Sequence, residues 1–427
     1  MNHSWKLHTI QDFIARGEAE LKTGPFGTQL HASDYVKSGT PVINVRNIGF
    51  GDIKEEKLEF VSDETVNRLS SQLLSPNDIV FGRKGAVERH AFIKEKTAGW
   101  FQGSDCLRLR LKSPSADPRF VSYYLLTEDH QQWMKNQCSH AATMASLNQD
   151  IISRIPLHLP PLPTQRKIAA ILSAYDDLIE NNTRRIKILE EMAQALYREW
   201  FVHFRFPGHE KARMVDSPLG RIPVGWEAIT VRDVSDYINR GISPKYDDKS
   251  GNIVINQKCI RDRRLNLEPF RRHLNKVPKD KLIRPGDILI NSTGVGTLGR
   301  VAQIYEEIPN CTVDSHVSIV RPGNKVTIDY FGLSLINQQD QFEHLGTGST
   351  GQAELNRDSI ASMDFLLPPK SLQLQFTSIV EPMRKSMTVM LNRNTNLRRT
   401  RDLLLPKLIS GNLNVENMDI KIGNLNS

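Results

Sequence analysis

The chain has 427 residues, and its 56 Lys plus Arg against 48 Asp plus Glu leave a formal net charge of +8. With 39% hydrophobic and 24% charged residues it has the composition of a folded protein, and its length suits two or three domains. No apolar run approaches the ~20 residues of a membrane helix, the first nine residues lack an apolar signal core, and Cys106, Cys138, Cys259 and Cys311 form no CxxC pair. These features exclude a membrane protein, a zinc ribbon and a disulfide scaffold, and they make the cytoplasm the expected location.

In chain order, residues 1–160 read as a first globular domain. Short β-branched runs (Val42 to Val45, Asp78 to Phe81, Cys106 to Leu111) lie between Gly, Pro, Asn and Asp clusters, and a helical stretch follows from Pro118 to Cys138. Residues 161–206 read as one long helix, opening just after Pro160-Pro161. Residues 207–225 are rich in Pro, Gly and Ser and read as a surface linker. Residues 226–368 repeat the first pattern, with strands at Ile253 to Ile255, Asp287 to Ile290 and Val317 to Val320 and a helix from Ile328 to His344. Residues 369–411 form a second long helix, and the Asn-rich tail, 412–427, is expected to fray.

The two halves are copies. Trp5 to Asp12 resembles Trp226 to Asp233, Pro41 to Ile48 resembles Ile253 to Ile260, and Leu74 to Val80 matches Ile283 to Leu289. Leu147-Asn148-Gln149-Asp150 matches Leu355-Asn356-Arg357-Asp358, and Leu159-Pro160-Pro161 matches Leu367-Pro368-Pro369. The offsets run 221, 212, 209, 208 and 208, shrinking in order as loop insertions dictate. Each copy predicts an α+β domain with a curved or barrel-like sheet, closed by a long helix.

Both helices carry an apolar seam with alternating steps of 4 and 3. The first runs Ile168, Leu172, Tyr175, Ile179, Asn182, Ile186, Leu189, Ala193, Leu196, Trp200; the second runs Phe376, Val380, Met383, Met387, Met390, Asn394, Leu397, Arg401, Leu404, Leu408. A sustained 3.5-residue period favours helix on helix over two amphipathic helices packed only on their own domains. Pro382 is expected to kink or restart the second helix, and Pro406 to break its last turn. An antiparallel pairing in which residue numbers sum to 576 sets Asn182 opposite Asn394, Ile186 opposite Met390 and Leu189 opposite Met387, with Arg401 over the Tyr175 ring. The same two asparagines are equally compatible with a solvated edge.

Motifs for catalysis are scarce. Gly294-Val295-Gly296-Thr297-Leu298-Gly299 fits GxGxxG, but Arg300 to Tyr305 reads as a strand, whereas a nucleotide site needs the glycines to open a helix. No GxxxxGK[ST] is present, nor an Asn-Pro-Pro or Asp-Pro-Pro loop closed by an aromatic. Charge is more informative. Lys258 to Arg284 carries ten Lys or Arg (Lys258, Arg261, Arg263, Arg264, Arg271, Arg272, Lys276, Lys279, Lys281, Arg284) against three acids, a run suited to phosphates. Arg83, Lys84 and Arg89 occupy the matching region of the first copy. Arg46-Asn47, Gln257-Lys258 and Ser292-Thr293 carry groups that suit base edges. His140 and Thr143, with Ser349 and Thr350, lie in equivalent polar loops before each Leu-Asn-x-Asp. Each of these residues is equally compatible with an ordinary turn.

Two globular units, each closed by Leu-Pro-Pro and a Gln-containing helix start (Gln165; Gln373, Gln375), resemble the specificity subunit of type I restriction–modification systems. Glu199-Trp200-Phe201-Val202-His203-Phe204-Arg205-Phe206-Pro207-Gly208, with Ser217 to Trp226, looks like that family's central conserved region. Leu403 to Gly411 looks like its C-terminal one. The resemblance implies two target recognition domains that each read half of a bipartite double-stranded DNA site. It implies two long helices pairing as an antiparallel coiled coil that sets their spacing and docks two methyltransferase subunits, with restriction and translocation subunits joining. It further implies a non-catalytic chain with no cofactor of its own, S-adenosylmethionine, ATP and magnesium belonging to the partners. A DNA-independent scaffold and a stand-alone DNA-binding regulator are the alternatives.

Overall fold

The computed structural model describes residues 5–138, 146–346 and 354–420. They form two compact units, Met1–Asn181 with Asn394–Ser427, and Asn182–Arg393, so each unit holds one globular half plus a stretch of both long helices.

In the first unit, Ala19–Thr23, Cys106–Leu111, Ile79–Gly82, His90–Phe92 and Phe50–Gly51 lie side by side in that order in a five-stranded sheet. A second sheet orders Tyr35–Val36, Glu59–Val61, Thr40–Ile43 and Phe101–Gln102, the last pair parallel. The expected helix from Pro118 to Cys138 is two, Pro118–Leu125 and Glu128–Cys138, the first capped by the Asp117 carboxylate. Lys6–Thr9 pairs with Pro156–Leu159, returning the chain beside its start.

The second unit repeats this order. Ser235–Arg240, Val317–Pro322, Ile288–Asn291 and Val301–Gln303 form one sheet; Arg271–His273, Asn252–Ile255 and Cys311–Val313 form another, again with the last pair parallel. Its helical stretch is also divided, into Ile328–Asn337 and Gln339–His344. The region expected as a plain linker contains a hairpin, Met214–Ser217 against Gly220–Pro223, turned at Gly220 with a φ of 90°.

The repeated motifs are structural. Leu147 and Leu355 are fully buried, and Asn148 and Asn356 cap the short helices after them through Oδ1 at 2.8 and 2.7 Å from the Ile151 and Ser359 amides. Buried Asp78 binds Arg110 at 2.7 Å, and its copy Asp287 binds Arg321 at 2.8 Å. Gln165 is fully buried, donates to the Ser115 and Pro160 carbonyls at 2.9 and 2.8 Å and accepts from the Asp117 amide at 2.9 Å. Gln373 does the same with Lys325, Pro368 and Thr327 at 3.3, 2.9 and 2.9 Å, so Gln373 rather than Gln375 is the functional copy of the clip.

The first long helix is Leu162–Tyr197, continued by one π-turn, Arg198–Val202; the second is Lys370–Ile409. Ile179, Asn182, Ile186, Met387 and Asn394 are buried and Leu189, Met390 and Leu397 half-buried, as the heptad seam requires. Within the first unit Arg401 reaches Asp176 at 2.6 Å, Asn394 Nδ2 donates to the Ile179 carbonyl at 3.4 Å, and Leu408 and Ile409 join Ile168, Ala169 and Leu172 in the core. Within the second unit Leu189 and Met390 line one shallow groove, and Trp200 and Tyr197 pack on Phe376. In each unit one helix's numbers fall as the other's rise, which is antiparallel pairing.

Four expectations are corrected. Arg401 takes the Asp176 carboxylate instead of the Tyr175 ring, because a charge-assisted hydrogen bond exceeds a ring contact. The second helix runs through Pro382 without restarting. Pro382 is exposed, so the Ser378 carbonyl that it deprives of a donor faces water. Pro406, also exposed, does not break the last turn. Residues 412–420 do not fray: Val415 is buried, Leu413 packs on the core, and Lys167 Nζ donates to the Glu416 carbonyl at 2.7 Å.

The central motif anchors the second unit. Phe201 lies 4.9 Å from Phe376, 4.6 Å from Tyr330 and 5.9 Å from Trp226, centroid to centroid. The π-turn carries Trp200 and Phe201 into this aromatic set, and Phe204 follows at a left-handed φ of 56°.

Candidate nucleic-acid interface

In both units three backbone segments meet where two adjacent central strands of the main sheet end and begin. In the first unit the Arg83 amide donates to the Asp105 carbonyl at 2.8 Å, the Leu147 amide donates to the Arg83 carbonyl at 2.8 Å, and Lys84 bridges Ser146. In the second unit Ser292 to His316 and Leu355 to Ser292 are the same two bonds at 2.8 Å, and Thr293 bridges Glu354. The expected loop residues Arg83, Lys84, Ser292 and Thr293 therefore occupy one equivalent locus. His140, Thr143, Ser349 and Thr350 lie outside the described residues.

At that locus Lys84 lies 3.7 Å from Asp105, both side chains more than half exposed. Arg89 stacks over Phe50 at 5.2 Å. Behind them His90 is fully buried and bonds Ser122 Oγ at 2.8 Å; burial pushes its pKa down to about 3, so it is a neutral core residue. In the second unit Gln257 Nε2 donates to the Thr293 carbonyl at 2.6 Å and to Thr293 Oγ1 at 2.8 Å, and Thr293 Oγ1 meets His316 Nδ1 at 2.7 Å. His316 is exposed, and its backbone amide is held by Asp314 at 2.9 Å.

Several sequence candidates are corrected. Asn47 is fully buried and donates to the Lys54 and Glu56 carbonyls at 2.9 and 3.1 Å, closing its own turn rather than facing a ligand. Ser292 is buried against Ser318 Oγ at 2.6 Å. Arg46 is half-exposed but paired with Glu59 at 2.7 Å. The basic run does not act as one patch. Arg263 donates to Gln194 at 3.3 Å, and Arg264 grips Glu190 of the first long helix with both ends of its guanidinium. These two residues fix the domain to its helix instead of facing solvent. Arg272 donates to the Ser250 carbonyl at 2.8 Å, and Lys281 to the Gly241 carbonyl at 2.7 Å. Lys258, Arg261 and Arg271 keep exposed side chains, Arg271 lying over the Tyr246 ring at 3.4 Å.

The glycines of the GxGxxG segment turn at positive φ (109°, 70° and 76° at Gly294, Gly296 and Gly299) and lead into Val301–Gln303, a strand, so they do not open a helix. Among the described residues no group of three or more His, Cys, Asp or Glu comes together to hold a metal, the four cysteines are buried and free, and no helix is long and apolar enough to cross a membrane. Sequence reasoning missed Asp105 and His316. The signal lay in the offset between copies, visible only once the strands flanking them are aligned by their pairing.

Comparison with known proteins bears on this locus. Residues 19–191 and 223–398 each match the family model described as the type I restriction modification DNA specificity domain. The chain is 24% identical over 304 residues, 70% of each chain, to the MjaIX type I restriction enzyme specificity subunit of Methanocaldococcus jannaschii. It is 22% identical to the putative MjaX specificity subunit of the same organism, covering 89% of this chain and 88% of that one. It is 21% identical to the HindI specificity subunit of Haemophilus influenzae, covering 87% and 94%. In fold it is similar to a crystal structure of a type I restriction–modification S subunit from M. genitalium, with a TM-score of 0.61 at 17% identity, covering 95% of this chain and 96% of that one.

Proposed function

Since the chain belongs to the type I restriction–modification DNA specificity family, we propose that it is the non-catalytic DNA-reading subunit of such a system, each unit recognising one half of a bipartite duplex site. The observation that carries this reading is the duplicated locus. Two copies of one scaffold, alike in clips, caps and buried ion pairs, present different polar side chains at the same strand ends. A pair of reading heads needs a shared frame with unlike tips. Exposed Lys258, Arg261 and Arg271 in the second unit suit phosphates, which position a protein on the duplex without specifying sequence.

The antiparallel helices serve as spacer and as dock for two methyltransferase subunits, with restriction and translocation subunits completing a cytoplasmic complex. S-adenosylmethionine would supply the methyl group, and ATP with magnesium the work of translocation, each held by those partners. The test is co-expression of the full chain with its methyltransferase in a host lacking both, followed by genome-wide mapping of methylated bases. A bipartite motif that appears only when this chain is present is the expected result. Methylation with the same motif in its absence indicates a DNA-independent scaffold. DNA binding without co-purification of the methyltransferase indicates a stand-alone regulator.

A further inference from the structure

Superposing the two copies by hydrogen-bond pattern sorts their polar residues into two kinds. The Ile43 and Ile255 carbonyls accept from the Gly103 and Asp314 amides at 3.0 and 2.9 Å. The Asp105 and His316 carbonyls accept from Arg83 and Ser292 at 2.8 Å. These bonds equate Val45 with Gln257, Lys84 with Thr293, and Asp105 with His316. Around them the frame residues are identical in kind: Asn44 and Asn256, Asp78 and Asp287, Arg110 and Arg321, Asn148 and Asn356, Gln165 and Gln373. Every frame residue is engaged in its own unit's hydrogen bonding. Three positions at the tip change class, from apolar to amide, from cation to hydroxyl, and from carboxylate to imidazole.

Resting on the reading above, we infer that positions 84 and 105 of the first unit, and 293 and 316 of the second, are specificity-determining, each pair addressing one base pair of its own half-site. Lys84 and Asp105 stand 3.7 Å apart with both ends in water, a cation beside a carboxylate. A G·C pair offers the complement on its major-groove edge. Guanine O6 and N7 accept from an ammonium, and the cytosine N4 amino group donates to a carboxylate. An A·T pair also sets an acceptor, adenine N7 or thymine O4, beside the adenine N6 amino donor. The first unit's locus is accordingly assigned a base pair read through one acceptor and one amino donor.

The second unit's locus is built differently. The 2.6 Å contact between Gln257 and the Thr293 carbonyl requires the nitrogen of the amide there, since two oxygens would repel. That nitrogen also donates to Thr293 Oγ1, which lies 2.7 Å from His316 Nδ1. The chain Gln257 to Thr293 to His316 thus ends in an exposed imidazole, positioned by Thr293 and by the Asp314 hold on its backbone. An imidazole N–H fits a purine N7.

The experiment maps methylated sites for the full chain co-expressed with its methyltransferase, comparing wild type with Asp105→Ala, His316→Ala and the transplant Lys84→Thr with Asp105→His. The side chains at 84, 105 and 316 are exposed, so thermal unfolding midpoints should match wild type; Thr293→Val serves as a second, isosteric probe of the second unit. Asp105→Ala should relax one position of one half-site by about tenfold or more and leave the other half intact. His316→Ala and Thr293→Val should relax one position of the opposite half only. The transplant should change the base required at that same position. Unaltered motifs in folded variants, or relaxation of both halves by one variant, overturn this assignment while leaving the functional reading standing. Absence of any bipartite motif with the wild-type chain overturns both.

Discussion

Gln165→Leu tests the claim that a buried amide joins the first long helix to its domain. The side chain is fully buried and makes three hydrogen bonds between 2.8 and 2.9 Å. Leucine keeps the approximate volume and removes every polar atom. The Ser115 carbonyl belongs to an exposed residue and can recruit water, which leaves the buried Pro160 carbonyl and the Asp117 amide without partners. At about 1.5 kcal/mol for each of the two orphaned groups, within the ~1–3 kcal/mol range, the loss is about 3 kcal/mol. The apolar gain from burying leucine returns about 1 kcal/mol, for a net loss of about 2 kcal/mol. For a unit of this size that is a drop in unfolding midpoint of about 4–8 °C. Calorimetry gives the midpoint, and amide hydrogen exchange locates the loosening at residues 115–117 and the first helical turn. Because Gln373 makes the same three bonds, Gln373→Leu should cost a similar amount in the second unit. A change below about 0.5 kcal/mol for both would show that the clips are not structural.

Other expectations follow from the same coordinates. Neutralising Lys258, Arg261 and Arg271 should flatten the dependence of DNA affinity on salt by about one log unit per lost phosphate contact. Arg264→Ala should instead lower stability, since its partner is Glu190; equal salt effects from both sets would refute that division. Pro382→Ala should stabilise the second unit by up to about 3 kcal/mol, because the exposed proline removes a helical hydrogen bond; urea unfolding reads the change, and a neutral result would contradict it. Burial pushes the pKa of His90 down to about 3 and that of His130 to about 4, whereas in an unfolded chain each lies near 6.5. Between those values the unfolded state binds more protons, so stability is full above about pH 6.5. It falls by up to about 1.4 kcal/mol per pH unit per histidine on acidification. Urea midpoints at neutral and mildly acidic pH check this, with His90→Gln giving the shallower slope.

Duplication, the strand-rich domains and the paired long helices were legible in the chain itself, because period and offset are one-dimensional quantities. A 4-3 alternation such as Ile179, Asn182, Ile186 survives any tertiary detail, since it marks the one helix face that can be buried. The Leu-Asn-x-Asp and Leu-Pro-Pro matches likewise announced themselves as repeats. Their meaning did not: that Asn148 caps a helix and Gln165 clips three backbone groups depends on what folds back within 3 Å. The basic run shows the same division most clearly. Its ten charges are a fact of composition, yet Arg263 and Arg264 face Gln194 and Glu190, about seventy residues earlier, while Arg271 lies over Tyr246. Asp105 and His316 stood in no motif at all. They became equivalent only through strands that pair across long separations. Hydrogen-bond register is a relation between distant segments, and no local pattern of residues encodes which side chains it will set at the same locus.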